Sequence, residues 1–297
     1  MRGNFILAAL LASAVSAAAE MPDFYGHWGD GRAEISSYEV VQSRYGELRQ
    51  GYGVLIFVTE DINRDTFIKV ESPTPAEERV YALKLNNVLK FKTGIYDYSV
   101  MTSVFSAVEG QQGHEPFELS KITLSAQEWC GHVFEEVQAR QGRLQGTLNS
   151  YFEREGRQVY ELDLPRDFES EDHLLIRIRE LKGPIMAEGE EREVVLLPSL
   201  WSFRVLHKPR GLVRARLSKG RVEHIAAGGR KFEAIPWSWE MEDIDRTAWV
   251  EKAYPHRILA WKDSRGGRGE LIETVREPYW QLHGNADVVL RERLRIP

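Results

Sequence analysis

The sequence predicts a mainly β protein: a curved antiparallel sheet or open barrel with one or two helices. Three observations predict it. Short runs of alternating or wholly apolar residues recur from one end of the chain to the other. Glycine, asparagine or charged residues close most of these runs, as turns close strands. Only one segment combines a helical period with a cap and a stop.

In chain order, "GYGVLIFVTED" holds the branched and aromatic run Val54 to Val58, too short for a helix, and reads as a buried strand. The preceding "AEISSYEVVQSRY" reads as its hairpin partner across Gly46 to Gly53. In "GIYDYS", Tyr96 and Tyr98 share one strand face. "ITLSAQEWCGHVFEEV", Ile122 to Val137, reads as a single strand. On it Leu124, Ala126, Glu128, Cys130, His132 and Phe134 would point one way, and Thr123, Ser125, Gln127, Trp129 and Val133 the other.

Further on, Glu153 to Gly156 reads as the turn of a hairpin in "LNSYFEREGRQVYELDL". "ESEDHLLIRIRELKGP" is the helix: Ser170 caps it, Glu171 and Asp172 suit its positive end, and Gly183-Pro184 stops it. Leu174, Leu175, Ile178 and Leu181 then share one face, although alternation of Leu174, Ile176 and Ile178 with arginines also allows a strand. In "GLVRARLSKGRVEHIAA", Val213, Ala215 and Leu217 alternate with Arg214 and Arg216 before a turn at Ser218 to Gly220. "AYPHRILAW" reads as a turn followed by a strand from Arg257 to Trp261.

The first residues carry Arg2, an apolar run from Phe5 to Val15 and then small residues up to Ala19, the pattern of a secretory signal peptide. Residues 1–19 are therefore expected to be removed, leaving residues 20–297 as one β-rich domain. The polar stretch "IMAEGEERE" offers a seam between halves 20–184 and 185–297. No later run reaches the roughly 20 apolar residues of a transmembrane helix, so the chain is not expected to span a membrane. The expected location is periplasmic or secreted, and no cysteine near the cleavage site could take a lipid.

Formally the chain carries 39 basic and 45 acidic residues, a net charge of −6. That balance speaks against broad nucleic-acid binding, which shows as a basic face. The single cysteine, Cys130, cannot form an intramolecular disulfide; in an oxidising compartment burial would protect it, so it is expected in the core.

Glu128, Cys130 and His132 are the one local cluster of chemically active side chains. Residues two apart on a strand are about 6.6 Å apart, too far for a nucleophile and its base, which approach to about 2.6–3.2 Å. Zinc ligation suits the residue types better, but it needs at least one further ligand. The bland reading is a strand with satisfied polar groups. Glycine-rich phosphate loops and serine-nucleophile motifs are absent, and no cofactor is implied. The eight tryptophans, with Tyr96 and Tyr98, fill a core or line a cavity for an apolar or sugar-like ligand. Trp129, Tyr96, Tyr98, Glu128, Cys130 and His132 are the candidate ligand-binding residues.

Five phrases, "YGELRQGYGVLIFVTEDINR", "FKTGIYDYSVMTSVFSAVEG", "ITLSAQEWCGHVFEEV", "LLPSLWSFRVLHKP" and "AYPHRILAW" before "REPYWQLH", together resemble a family of uncharacterised secreted bacterial proteins. Some members carry a label from the Maf septum-formation inhibitors, whose Ser-x-Ser-Pro-Arg-Arg start this chain lacks. The hairpins from Leu212 to Trp261 resemble periplasmic domains with a LolA-like half-barrel, which implies architecture and no ligand. The functional expectation is a non-enzymatic protein holding an apolar or lipid-like molecule in a concave sheet. The alternatives are a metal-dependent hydrolase built on Glu128, Cys130 and His132, or a scaffolding partner of another envelope protein.

Overall fold

A computed structural model describes residues 23–110 and 115–297. The expected signal peptide lies outside the described residues. A short helix α1, Phe24–Trp28, is capped by the Asp23 carboxylate, which accepts from the Tyr25 and Gly26 N–H groups. Eight strands follow as a meander: β1 Ala33–Arg44, β2 Glu47–Asn63, β3 Arg79–Thr93, β4 Tyr96–Ala107, β5 Glu118–Glu128, β6 Gly131–Arg140, β7 Arg143–Ser150 and β8 Arg157–Asp163. Then come β9 Phe168–Ser170, helix α2 Glu171–Arg177, β10 Glu191–Leu197, helix α3 Leu200–Leu206 and β11 Val213–Lys219. The remaining elements are β12 Glu223–Ala227, β13 Arg230–Glu240, β14 Asp245–Glu251, β15 Ile258–Asp263, β16 Arg268–Glu277 and helix α4 Val289–Arg293.

These sixteen strands belong to one sheet, in the order β8-β7-β6-β5-β4-β3-β2-β1-β16-β15-β14-β13-β11-β10-β9, with β12 beside β13. Among them only β9 and β10 run parallel. The mainly β fold read from the sequence is thus observed, among the described residues, as one large open sheet with four short helices. The two sequence halves share it, because β1 pairs with β16 from Ala33↔Glu277 to Val41↔Arg268.

The sheet curls nearly into a barrel. Its free edges, β8 and β9, are consecutive in sequence and joined by Leu164 to Asp167. So short a link holds those edges within roughly 18 Å of each other at that end. Helices α2 and α3 pack inside the curve: Ile176, Leu200 and Phe203 are buried in the same core as Leu83, Leu85, Leu124 and Leu144 of the sheet, while Leu174 packs in a second core with Leu196, Leu217 and Trp237. The Arg210 guanidinium, just after α3, grips Glu135 of β6 at 2.9 and 2.7 Å, and Tyr160 of β8 donates to the same carboxylate at 2.7 Å.

Several local expectations are corrected. "ITLSAQEWCGHVFEEV" is two strands: β5 ends at Glu128, Trp129 and Cys130 form a two-residue turn, and β6 returns from Gly131. No Asn-Gly or Asp-Gly pair announces that turn. The face assignment fails beyond it, so Val133 is buried while Phe134 is exposed. Cys130 is exposed, against the expectation of burial.

The first hairpin is tighter than read, with its turn at Tyr45-Gly46, because Gly51 and Gly53 continue the strand. A side chain at Gly51 would lie 2.2 Å from the Lys90 carbonyl oxygen of β3. Strands β11 and β12 do not pair with each other; both pair with β13. The helix is present, but ends at Arg177, well before Gly183-Pro184, and Ser170 makes no side-chain capping bond.

Candidate functional site

The concave face of the sheet meets the two inner helices around a cavity of about 130 Å³. One wall is apolar: Leu55 from β2, Leu89 from β3 and Val100 from β4 face Leu175 of α2. Three indoles, Trp201 of α3, Trp239 of β13 and Trp261 of β15, complete it. Trp261 lies on the backbone of β16 at Gly269, where any Cβ would stand 2.2 Å from its ring. It also meets Tyr38, with ring centroids 4.7 Å apart. Among the described residues, the indole N–H groups of Trp201 and Trp239 have no hydrogen-bond partner.

The polar part of the lining is built from α2 and from Arg246 of β14, which pairs across the sheet with Trp239. The first residues of α2 do not serve their own helix alone: the Glu171 carboxylate accepts from the Ser199 N–H at 2.9 Å and Asp172 from the Leu200 N–H at 3.0 Å. Two side chains of one helix therefore satisfy orphan donors at the start of the other. Arg246 of β14 pairs with Glu171, donates to Ser202 Oγ at 2.9 Å and approaches Asp263 at 3.5 Å. Burial raises the Asp172 carboxyl to about 6, against the lowering effect of the Leu200 hydrogen bond and with help from the Glu171 charge. A carboxyl at the edge of protonation near neutral pH thus borders an aromatic cavity.

The six candidate residues of the sequence reading sit elsewhere. None lines the cavity, but three form an aromatic path toward it. Trp129 meets Tyr96 at 6.4 Å between ring centroids, Tyr96 meets Tyr98 at 5.8 Å, and Tyr98 meets Trp201 of the cavity wall at 6.2 Å. Tyr98 is buried, stacks on Phe91 at 4.7 Å and shares its hydroxyl with Tyr45 at 2.9 Å and Arg44 at 3.4 Å. Glu128 turns back to accept from the Cys130 N–H at 2.7 Å, while Cys130 and His132 face solvent. Among the described residues, no three His, Cys, Asp or Glu side chains converge as a metal site would require.

The residues the sequence reading missed are Glu171 and Asp172, read only as helix-start acids, and their partners Ser199 and Arg246. Their juxtaposition joins segments about 28 and 75 positions apart, so no local spacing announces it.

One buried pair carries catalytic residue types. Ser106 Oγ and His173 Nε2 are 2.8 Å apart, and the ring is further held by a backbone hydrogen bond with Phe117. The pair has a nucleophile–base distance. Yet Ser106 is fully buried, and burial first, then the Arg177 charge, lower His173 to about 3. Such a ring is a weak base, and no substrate could reach the hydroxyl. The bond serves to tie α2 to β4. No family model, curated protein or solved structure matches this chain.

Proposed function

We propose that the protein is a non-enzymatic binding protein that takes a small, largely apolar molecule into the cavity between its concave sheet and inner helices. The observation that carries this reading is the cavity's lining, three indoles and branched side chains beside the Glu171–Asp172–Arg246 cluster. Apolar walls provide the affinity, and a few fixed polar groups orient the ligand. A cavity of about 130 Å³ is close to the 150 Å³ or so that holds one benzene. The ligand is accordingly a single ring or short alkyl group, and a lipid would enter by one segment only. On this reading the amino-terminal leader carries the protein to the periplasm or outside the cell, and the ligand is met there.

Tryptophan emission reports directly on the site because Trp201, Trp239 and Trp261 form its wall. Toluene, indole and octylamine are titrated at about 0.01–1 mM, the range for small ligands of modest efficiency. Saturable quenching or blue shift, abolished when Leu175→Trp fills the cavity, supports the reading. Emission unchanged by all three probes, together with a native mass equal to the bare polypeptide, defeats it.

A further inference from the structure

Strand β8 is a free edge. It pairs with β7 on one side, from Asn149↔Arg157 to Arg143↔Asp163, and with no described strand on the other. The flanking hydrogen bonds show which backbone groups face outward. Gly156 O accepts from Ser150 N of β7 at 2.8 Å, and Leu164 N donates to Gly142 O at the far end of the same pair at 2.9 Å. In an antiparallel ladder the N–H and C=O of one residue point to the same side, and alternate residues point to opposite sides. Even-numbered residues of β8 therefore serve β7, while Arg157, Val159, Glu161 and Asp163 direct theirs to the open edge. Such a row is a template for another strand.

From the geometry we infer that this edge joins two copies of the chain by antiparallel β8–β8 pairing about Tyr160. In that register the terminal charges of Arg157-Gln158-Val159-Tyr160-Glu161-Leu162-Asp163 are self-complementary. Arg157 falls opposite the second copy's Asp163, and Val159 opposite its Glu161, at both ends of the two-fold. These are also the pairs whose backbone groups are free, so one register satisfies the hydrogen bonding and sets Arg157 opposite Asp163, a carboxylate that within its own chain only approaches Arg143 at 3.8 Å.

Three further facts agree. Arg157 has no ionic partner among the described residues. Val159 is 85% exposed on an outer face that a second strand would partly cover. The Tyr160 ring leans back over β7, where a Cβ at Gly146 would stand 2.0 Å from it, and so leaves the two-fold position clear. An isologous contact of this kind closes at a dimer and does not propagate.

Sedimentation equilibrium on the whole protein tests the inference. The interface is small, and a dimer dissociating at roughly 10–100 µM is expected. Val159→Pro removes an outward N–H that β7 does not use, and should leave a folded monomer. Arg157→Glu and Asp163→Arg each place like charges opposite and should weaken the dimer roughly tenfold. Mixing those two variants should restore association as a heterodimer. The carboxylate introduced at position 157 of one copy then faces the guanidinium introduced at position 163 of the other, and the unaltered Asp163 and Arg157 face each other. A monomer at about 200 µM, a dimer that Val159→Pro leaves intact, or variants that fail to associate on mixing would each overturn it.

Discussion

Ser106 Oγ of β4 lies 2.8 Å from His173 Nε2 of α2, and both side chains are buried in the core. The bond ties α2 to the sheet at β4, alongside the bonds of Glu171 and Asp172 to the start of α3 and the Arg246 pair to β14.

His173→Phe should therefore keep the volume but leave the serine hydroxyl only its long 3.5 Å contact with the Glu118 carbonyl oxygen, at a cost of about 1–3 kcal/mol. It should also change the acid limb of stability. His173 is held far below the usual histidine range by burial, so the unfolded chain takes up a proton between roughly pH 6.5 and 3 that the folded chain refuses. Wild-type stability falls across that window, and the variant's should fall less. Urea unfolding at pH 7 and pH 4.5 measures both effects, and equal slopes for the two proteins would contradict the assignment. A fluorophosphonate reagent should not label Ser106 in the native protein.

Asp172, the neighbouring residue, has the opposite sign. Burial raises its carboxyl to about 6, so its protonated form favours the folded state below the ordinary carboxylate range and that stability is lost as pH rises through 6. Asp172→Asn keeps an oxygen for the Leu200 N–H and removes the buried charge. The variant should gain about 1–3 kcal/mol at pH 8 and nearly nothing at pH 4, since a shift of one unit is worth about 1.4 kcal/mol. A melting temperature at pH 8 no higher than the wild type's would count against a strained carboxylate at the cavity.

What the sequence made legible divides along one physical line. Alternation along "VRARL" reports which face of a strand is dry, with Ala215 and Leu217 buried and Arg214 and Arg216 exposed, because the side-chain period is a property of neighbouring residues. The pairing of β1 with β16 and the placing of Arg246 against Glu171 depend on distant segments meeting, and no period encodes them. The turn at Trp129-Cys130 failed for a different reason. Both residues look like strand formers, and the hairpin is held by its flanking strands rather than by turn chemistry. A one-residue error there reversed the inferred burial of everything beyond it.

Arg179, just beyond α2, and Glu34 of β1 form an ion pair at 2.9 Å with essentially no solvent contact on either side chain. The guanidinium also donates to the backbone oxygens of Pro255 at 2.7 Å and His256 at 3.0 Å, and lies 4.2 Å over the Phe57 ring. Arg179→Met should cost about 3–5 kcal/mol, because it leaves Glu34 buried without a partner. Adding Glu34→Leu should recover a large part of that loss. Chemical denaturation of the two single variants and the double closes the cycle, and strictly additive losses would mean that the two groups do not act as a pair.

Cys130 stands at the tip of the β5–β6 hairpin, open to solvent, with Glu128 bonded to its N–H at 2.7 Å. A thiol reagent should label the native protein without denaturant, and Cys130→Ser should leave the melting temperature within about 2 °C, as surface changes away from special features do. The rate should carry a signature of the neighbour. A hydrogen bond to Glu128, and then its charge, raise the thiol above its usual value, which lowers the thiolate fraction that reacts. Glu128→Gln removes the charge and should speed labelling severalfold at pH 7.5, while raising the pH should narrow the difference as both thiols ionise. A thiol that labels only in denaturant, or a rate indifferent to the glutamate, would contradict the exposed turn and its carboxylate.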